Sequence, residues 1–123
     1  MKHLKKINET FRDISDQIVD ILVDIKDDYP EIDGDIFDIE GDIQYGDNAL
    51  CLIVLDCEKV KIRGEENVFG SIEHYRSKIK FINLILDSIK RLEDALNVKS
   101  FIPNLDQFDH WQYSSIRITL YKK

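Results

Sequence analysis

Leu4, Ile7, Phe11, Ile14, Ile18, Ile21 and Ile25 follow one another at spacings of 3, 4, 3, 4, 3 and 4. This is the periodicity of one face of an α-helix, and it predicts a first helix over 3–27. Tyr29-Pro30 closes that helix, because the residue before a proline avoids the α region. Val19 and Val23 fall beside the row and widen the apolar arc. A helix with so broad an apolar face must be buried against another layer, which is the main constraint on the fold.

A second row on the same helix, Asp13, Asp16, Asp20, Asp24 and Asp27, lies almost opposite the first at 100° per residue. Charged residues opposite an apolar stripe are what any solvated helix face carries, but such faces usually mix signs. Here Lys26 is the only base between Asp13 and Asp28. Like charges at i,i+4, such as Asp16–Asp20 and Asp20–Asp24, destabilise the helix by a few tenths of a kcal/mol each. Repulsion left without a compensating base points to a face turned toward a partner.

The period then changes from 3.6 to 2. Phe37, Ile39, Gly41, Ile43 and Tyr45 alternate with Asp38, Glu40, Asp42 and Gln44, which predicts a half-buried strand. Gly46-Asp47-Asn48 is a turn signal. Ala49 to Cys57 is a nearly continuous apolar run, as in a central strand covered on both faces. Val60 and Ile62, between Lys59, Lys61 and Arg63, predict either a third short strand over 58–63 or a continuation of the second. A second helix is expected from Ser71, as N-cap, to Asn97, with Ile72, Tyr75, Ile79, Ile82, Leu86 and Ile89 as its apolar stripe, extended by Leu92 and Leu96. Residues 98–113 read as irregular around Pro103. Ser114 to Tyr121 alternates again as a last strand.

The predicted fold class is α+β. It is a two-layer sandwich with two long amphipathic helices on one face of a three- to four-stranded, mainly antiparallel sheet, in the order α-β-β-(β)-α-β. The other sheet face is expected to carry Asp38, Glu40 and Asp42 on one strand and Arg117 and Thr119 on another. The wide helix stripes leave room for a homodimer.

At 123 residues the chain fits a single domain over 1–123, large enough for a core without staples. The start, MKHLKKINETF, lacks the apolar stretch of a signal peptide, and the longest apolar run is too short to span a bilayer, so a soluble cytoplasmic protein is expected. Cys51 and Cys57, six residues apart on one extended segment, would stand about 20 Å apart, too far for a disulfide. Both read as free, buried thiols.

Charge is divided unevenly. Residues 1–56 hold 15 acidic and 5 basic residues, a balance of −10, whereas 57–123 hold 9 and 12, a balance of +3. An acidic half of this kind repels nucleic acid and anionic membranes and is attracted to basic protein surfaces. Residues 33–47, DGDIFDIEGDIQYGD, place six carboxylates in fifteen positions, yet no register matches a calcium loop: from Asp33 the fifth position is Phe37, and from Asp38 the sixth is Ile43. Strict alternation would also hold Asp38, Glu40 and Asp42 about 7 Å apart, too wide for one ion. No metal or cofactor is therefore expected. His3, His74 and His110 form no ligand or catalytic set and are expected at the surface, and no zincin, redox, nucleophile-elbow or phosphate-loop motif is present. The aromatic stretch Phe108 to Tyr113, with Trp111, is expected to plug one end of the core.

The expected function is a non-enzymatic, acidic protein-binding module that presents Asp13, Asp16, Asp20, Asp24, Asp27, Asp38, Glu40 and Asp42 to a basic partner surface. Inhibitors that occlude nucleic-acid-binding grooves work in this way, as phage-encoded inhibitors of bacterial defence nucleases or toxin-neutralising immunity proteins do. The alternative expectation is a small-molecule or nucleotide-sequestering protein with a site at a subunit interface built from Arg63, Arg117 and Tyr121.

Overall fold

The computed structural model describes residues 2–58, 70–103, 105 and 115–123. Helix α1 spans Lys2–Asp28, β1 Asp33–Asp38, a 3-10 turn Ile43–Tyr45, β2 Ala49–Asp56, α2 Ile72–Leu96, β3 Val98–Phe101 and β4 Ser115–Lys122. The four strands form one sheet in the order β1-β2-β4-β3, every neighbour antiparallel. Both helices lie on one face of it. They run antiparallel to each other: Asp24 meets Arg91, while Tyr29, further along the chain, meets Phe81.

Burial of the helix-facing side holds the two layers together. Ile14, Ile18 and Ile25 of α1, with Phe81, Ile85, Ile89 and Leu92 of α2, pack on Ile53 and Leu55 of β2 and Ile116, Ile118 and Leu120 of β4. Gly34 lets α1 approach β1 closely, since a Cβ there would stand 3.0 Å from Leu22 Cδ1. β2 is central, as its apolar run predicts. A register shift between Ala49 and Cys51 turns Leu50 toward the helices, while Ala49 and Leu52 are buried on the opposite face beneath Ile39, Tyr45 and Tyr121.

Among the described residues the element order is α-β-β-α-β-β, with two strands after α2 where one was expected. Of 58–63, only Glu58 is among the described residues, in a turn. The fourth strand is β3, in a stretch that reads as irregular. Asn97 adopts the left-handed conformation, φ 54°, and caps α2 by donating its N–H to the Glu93 carbonyl, which reverses the chain. The Glu93 carboxylate then accepts from both the Ser100 N–H, at 2.9 Å, and the Ser100 hydroxyl, at 2.8 Å, tying the helix end to the strand.

The strand expected over 37–45 is also displaced. β1 ends at Asp38 because the acids after it bond their own backbone. Asp38 Oδ1 accepts from Glu40 N–H at 3.0 Å, and Asp42 Oδ1 accepts from Gln44 N–H at 2.9 Å as the cap of the 3-10 turn. Gly41 between them sits at φ +84°, a backbone conformation that other residues rarely adopt. Short carboxylate side chains thus offer the backbone a turn in place of a ladder.

Ser71 caps α2 as the sequence predicts, its hydroxyl accepting from His74 N–H at 3.1 Å. Ser71→Ala is expected to lower the unfolding free energy by about 1 kcal/mol. A shifted urea midpoint at unchanged slope checks this, and no shift would show that the cap adds nothing.

Candidate partner-binding surface

Seven of the eight acids expected to face a partner can be placed with their side chains, and they separate into two groups. Asp16, Asp20 and Asp27 are exposed on the outer face of α1. Among the described residues no cation lies within ion-pair distance of any of them. Asp24 belongs to the same row, but its Oδ2 accepts from Arg91 Nη1 at 3.1 Å and so links the helices. Asp13 lies on α1, in the same row by position.

The strand acids do not join this row. β1 pairs Phe37 with Leu52 and Asp38 with Cys51, so Phe37 points away from the helices and Asp38 toward their side of the sheet edge. Asp38 and Asp42 are held in the turns described above. Glu40 is mostly covered, with its Oε1 2.8 Å from Lys122 Nζ. The expectation of one strand face carrying Asp38, Glu40 and Asp42 is therefore corrected: these carboxylates shape a turn and fix the end of β4. Asp35 is an exposed acid of β1 on the sheet face away from the helices, paired across the ladder with Val54.

Of the other candidate site, the two described residues do not come together. Arg117 and Tyr121 both point to that sheet face, opposite Val54 and Ala49, but four residues of strand separate them by about 13 Å. Tyr121 packs on the Ile39–Ala49–Leu52 cluster, and Arg63 lies outside the described residues. Arg117 instead borders a groove floored by Leu52 and Val54 and walled by Phe37 and Tyr45. Asp35, Asp38 and Asp42 line the same groove, so acidic residues outnumber the one guanidinium there. That balance disfavours a phosphate.

Among the described residues no group of three His, Cys, Asp or Glu could hold a metal ion. His74, expected at the surface, is buried in the first turn of α2 with its ring edge-on to Tyr75, centroids 5.4 Å apart. His110, Trp111 and the rest of the aromatic stretch lie outside the described residues. Cys51 and Cys57 are free and buried, and burial pushes both thiols up to about 12, far from a reactive thiolate. Among the described residues no helix is long and apolar enough to cross a membrane.

The fold and this surface define a two-layer α+β domain with one strongly acidic outer helix. Comparison with protein-family models, with curated proteins and with solved structures finds no match for the chain.

Proposed function

We propose that this protein is a non-catalytic, acidic binding module of the inhibitor type, acting in the cytoplasm. In this reading the outer face of α1 docks on a basic, nucleic-acid-binding surface of a partner protein and occludes it. The observation that carries this reading is the row Asp16, Asp20 and Asp27, exposed and without ion pairs among the described residues. A basic groove would relieve the repulsion within the row, and its field would speed encounter in a salt-dependent way. Inhibitors of defence nucleases and immunity proteins against toxins are the classes that fit.

The test is affinity purification from the native host with the wild type and with Asp16→Lys/Asp20→Lys/Asp27→Lys in parallel. Asp24 is left intact because it ties α1 to α2. The expected result is a basic protein retained by the wild type and lost by the variant, with far-UV circular dichroism unchanged. A partner held equally by both chains would overturn the proposal. A saturable thermal shift with a nucleotide would favour the Arg117 groove instead.

A further inference from the structure

The first four turns of the apolar stripe expected to bury α2 leave most of its residues exposed, and only its far end enters the core. Ile72 is 69% exposed, Tyr75 54%, Ile79 56% and Leu86 44%, while Ile89 and Leu92, further along the same stripe, are buried with Phe81 and Ile85 against the sheet. At 100° per residue the exposed stripe lies about 110° around the helix from the buried arc. It is on the flank away from α1, since Arg91, which reaches α1, projects from the opposite side. Four large apolar side chains in line on one helix exceed the scattered exposure of an ordinary surface.

The spacing of this stripe specifies its occupant. Ile72, Tyr75, Ile79, Ile82 and Leu86 are 3, 4, 3 and 4 apart, the a and d positions of a heptad seam, which a second helix fills, whereas Ile89, the next step, is already buried in the chain's own core. Beside the seam, on the side of the groove shared with Asp28 at the end of α1, runs an exposed row: Glu73, Arg76, Lys80, Asn83, Asp87 and Lys90. Read forward, its charges are −, +, +, 0, −, +, and read backward +, −, 0, +, +, −. Laid against its own reverse, the row sets Glu73 opposite Lys90 and Arg76 opposite Asp87, and it sets no like charges together.

We infer that the protein forms a two-fold homodimer through antiparallel packing of α2 on α2 of a second copy. The a-against-d layering sets Tyr75 against Leu86 and Ile79 against Ile82 of the other copy, with Ile72 at each outer end. The same register brings Arg76 to Asp87 and Glu73 to Lys90, each twice by symmetry. The pairs that Arg76 and Lys90 make within one chain, to Glu73 at 3.8 Å and to Asp94 at 3.1 Å, are solvent-exposed and exchange readily. α1 packs on the other flank of α2, so each dimer presents two acidic helix faces. The dimer stands or falls independently of what α1 binds.

Sedimentation velocity on the purified full chain, up to about 0.1 mM, tests this at concentrations where a micromolar dimer is saturated. The wild type is expected to pass from monomer to dimer, and Ile79→Asp to stay monomeric. Arg76→Asp alone is expected to raise the dimer Kd about tenfold, because two symmetric pairs turn repulsive. Arg76→Asp combined with Asp87→Arg is expected to restore the wild-type Kd. Both charge variants lie on the exposed flank, so the fold is not at stake. A wild type that is monomeric throughout would overturn the dimer, and a double variant no tighter than Arg76→Asp would overturn the antiparallel register.

Discussion

Phe81→Ala is expected to lower the unfolding free energy by about 3–5 kcal/mol, the range for an aromatic side chain truncated in a packed core. Phe81 is fully buried and is the largest such side chain in the molecule's described core. Its ring stands edge-on to Tyr29, centroids 4.9 Å apart and planes at 90°, just past the end of α1. Truncation therefore removes contacts with the sheet and with the chain leaving α1 at once, and a cavity remains because the antiparallel helices close over the site. A small domain holds only about 5–15 kcal/mol in total, so the variant keeps little reserve. Urea unfolding at neutral pH checks the value. Leu86→Ala, on the same helix but 44% exposed, serves as the control at protein concentrations below the dimer Kd and is expected to shift the midpoint far less. A Phe81→Ala loss no larger than that of Leu86→Ala would mean that α2 does not pack in this rotation.

That contrast shows how far the sequence could be read. In α1 the row containing Ile14, Ile18 and Ile25 is the only wide apolar arc, and it is the one buried. In α2 there are two arcs. The regular one, Ile72 to Ile89, is legible because its 3,4 spacing is uninterrupted. The arc that packs on the sheet contains His74 and Ser88, which break its apolar signal. Periodicity shows that a face exists but does not say which layer covers it, so sequence assigned the seam to the sheet. The strand acids failed for a different reason. Asp38 and Asp42 alternate with apolar residues as a strand would, but each carboxylate bonds a backbone N–H two residues on, and a turn results. Val98–Phe101 is too short for any period to register. The α1 acids were legible because a helix nearly eight turns long over-determines which residues share its outer face. What sequence could not show is that Asp24 is engaged by Arg91, which comes from 67 residues further along the chain.

Alkaline pH is expected to destabilise this protein strongly, through Cys51 and Cys57. Both thiols are fully buried, and burial pushes each from 9.0 up to about 12, with smaller contributions from the carboxylates of Asp38 beside Cys51 and Asp56 beside Cys57. In the unfolded chain the thiols ionise from about pH 9, whereas in the folded chain they stay protonated. Their contribution to stability is therefore fully present below pH 9 and is lost as pH rises from 9 toward 12. By about pH 10.5 the loss is roughly 2 kcal/mol for each thiol and about 4 for the pair, a large part of the stability of a domain this size. Tyr29, raised by its own burial and by Asp28, acts in the same direction above pH 10, so a comparison is needed to isolate the thiols. Cys51→Ala/Cys57→Ala keeps Tyr29 and removes both thiols. It is expected to be the less stable chain at pH 8, because two small cavities open, yet to lose about 4 kcal/mol less than the wild type between about pH 8 and pH 10.5. Parallel losses in the two chains would show that the thiols are already solvated in the folded state. Alkylation by iodoacetamide at pH 8 gives an independent reading: it should be blocked in the native protein and go to completion in urea.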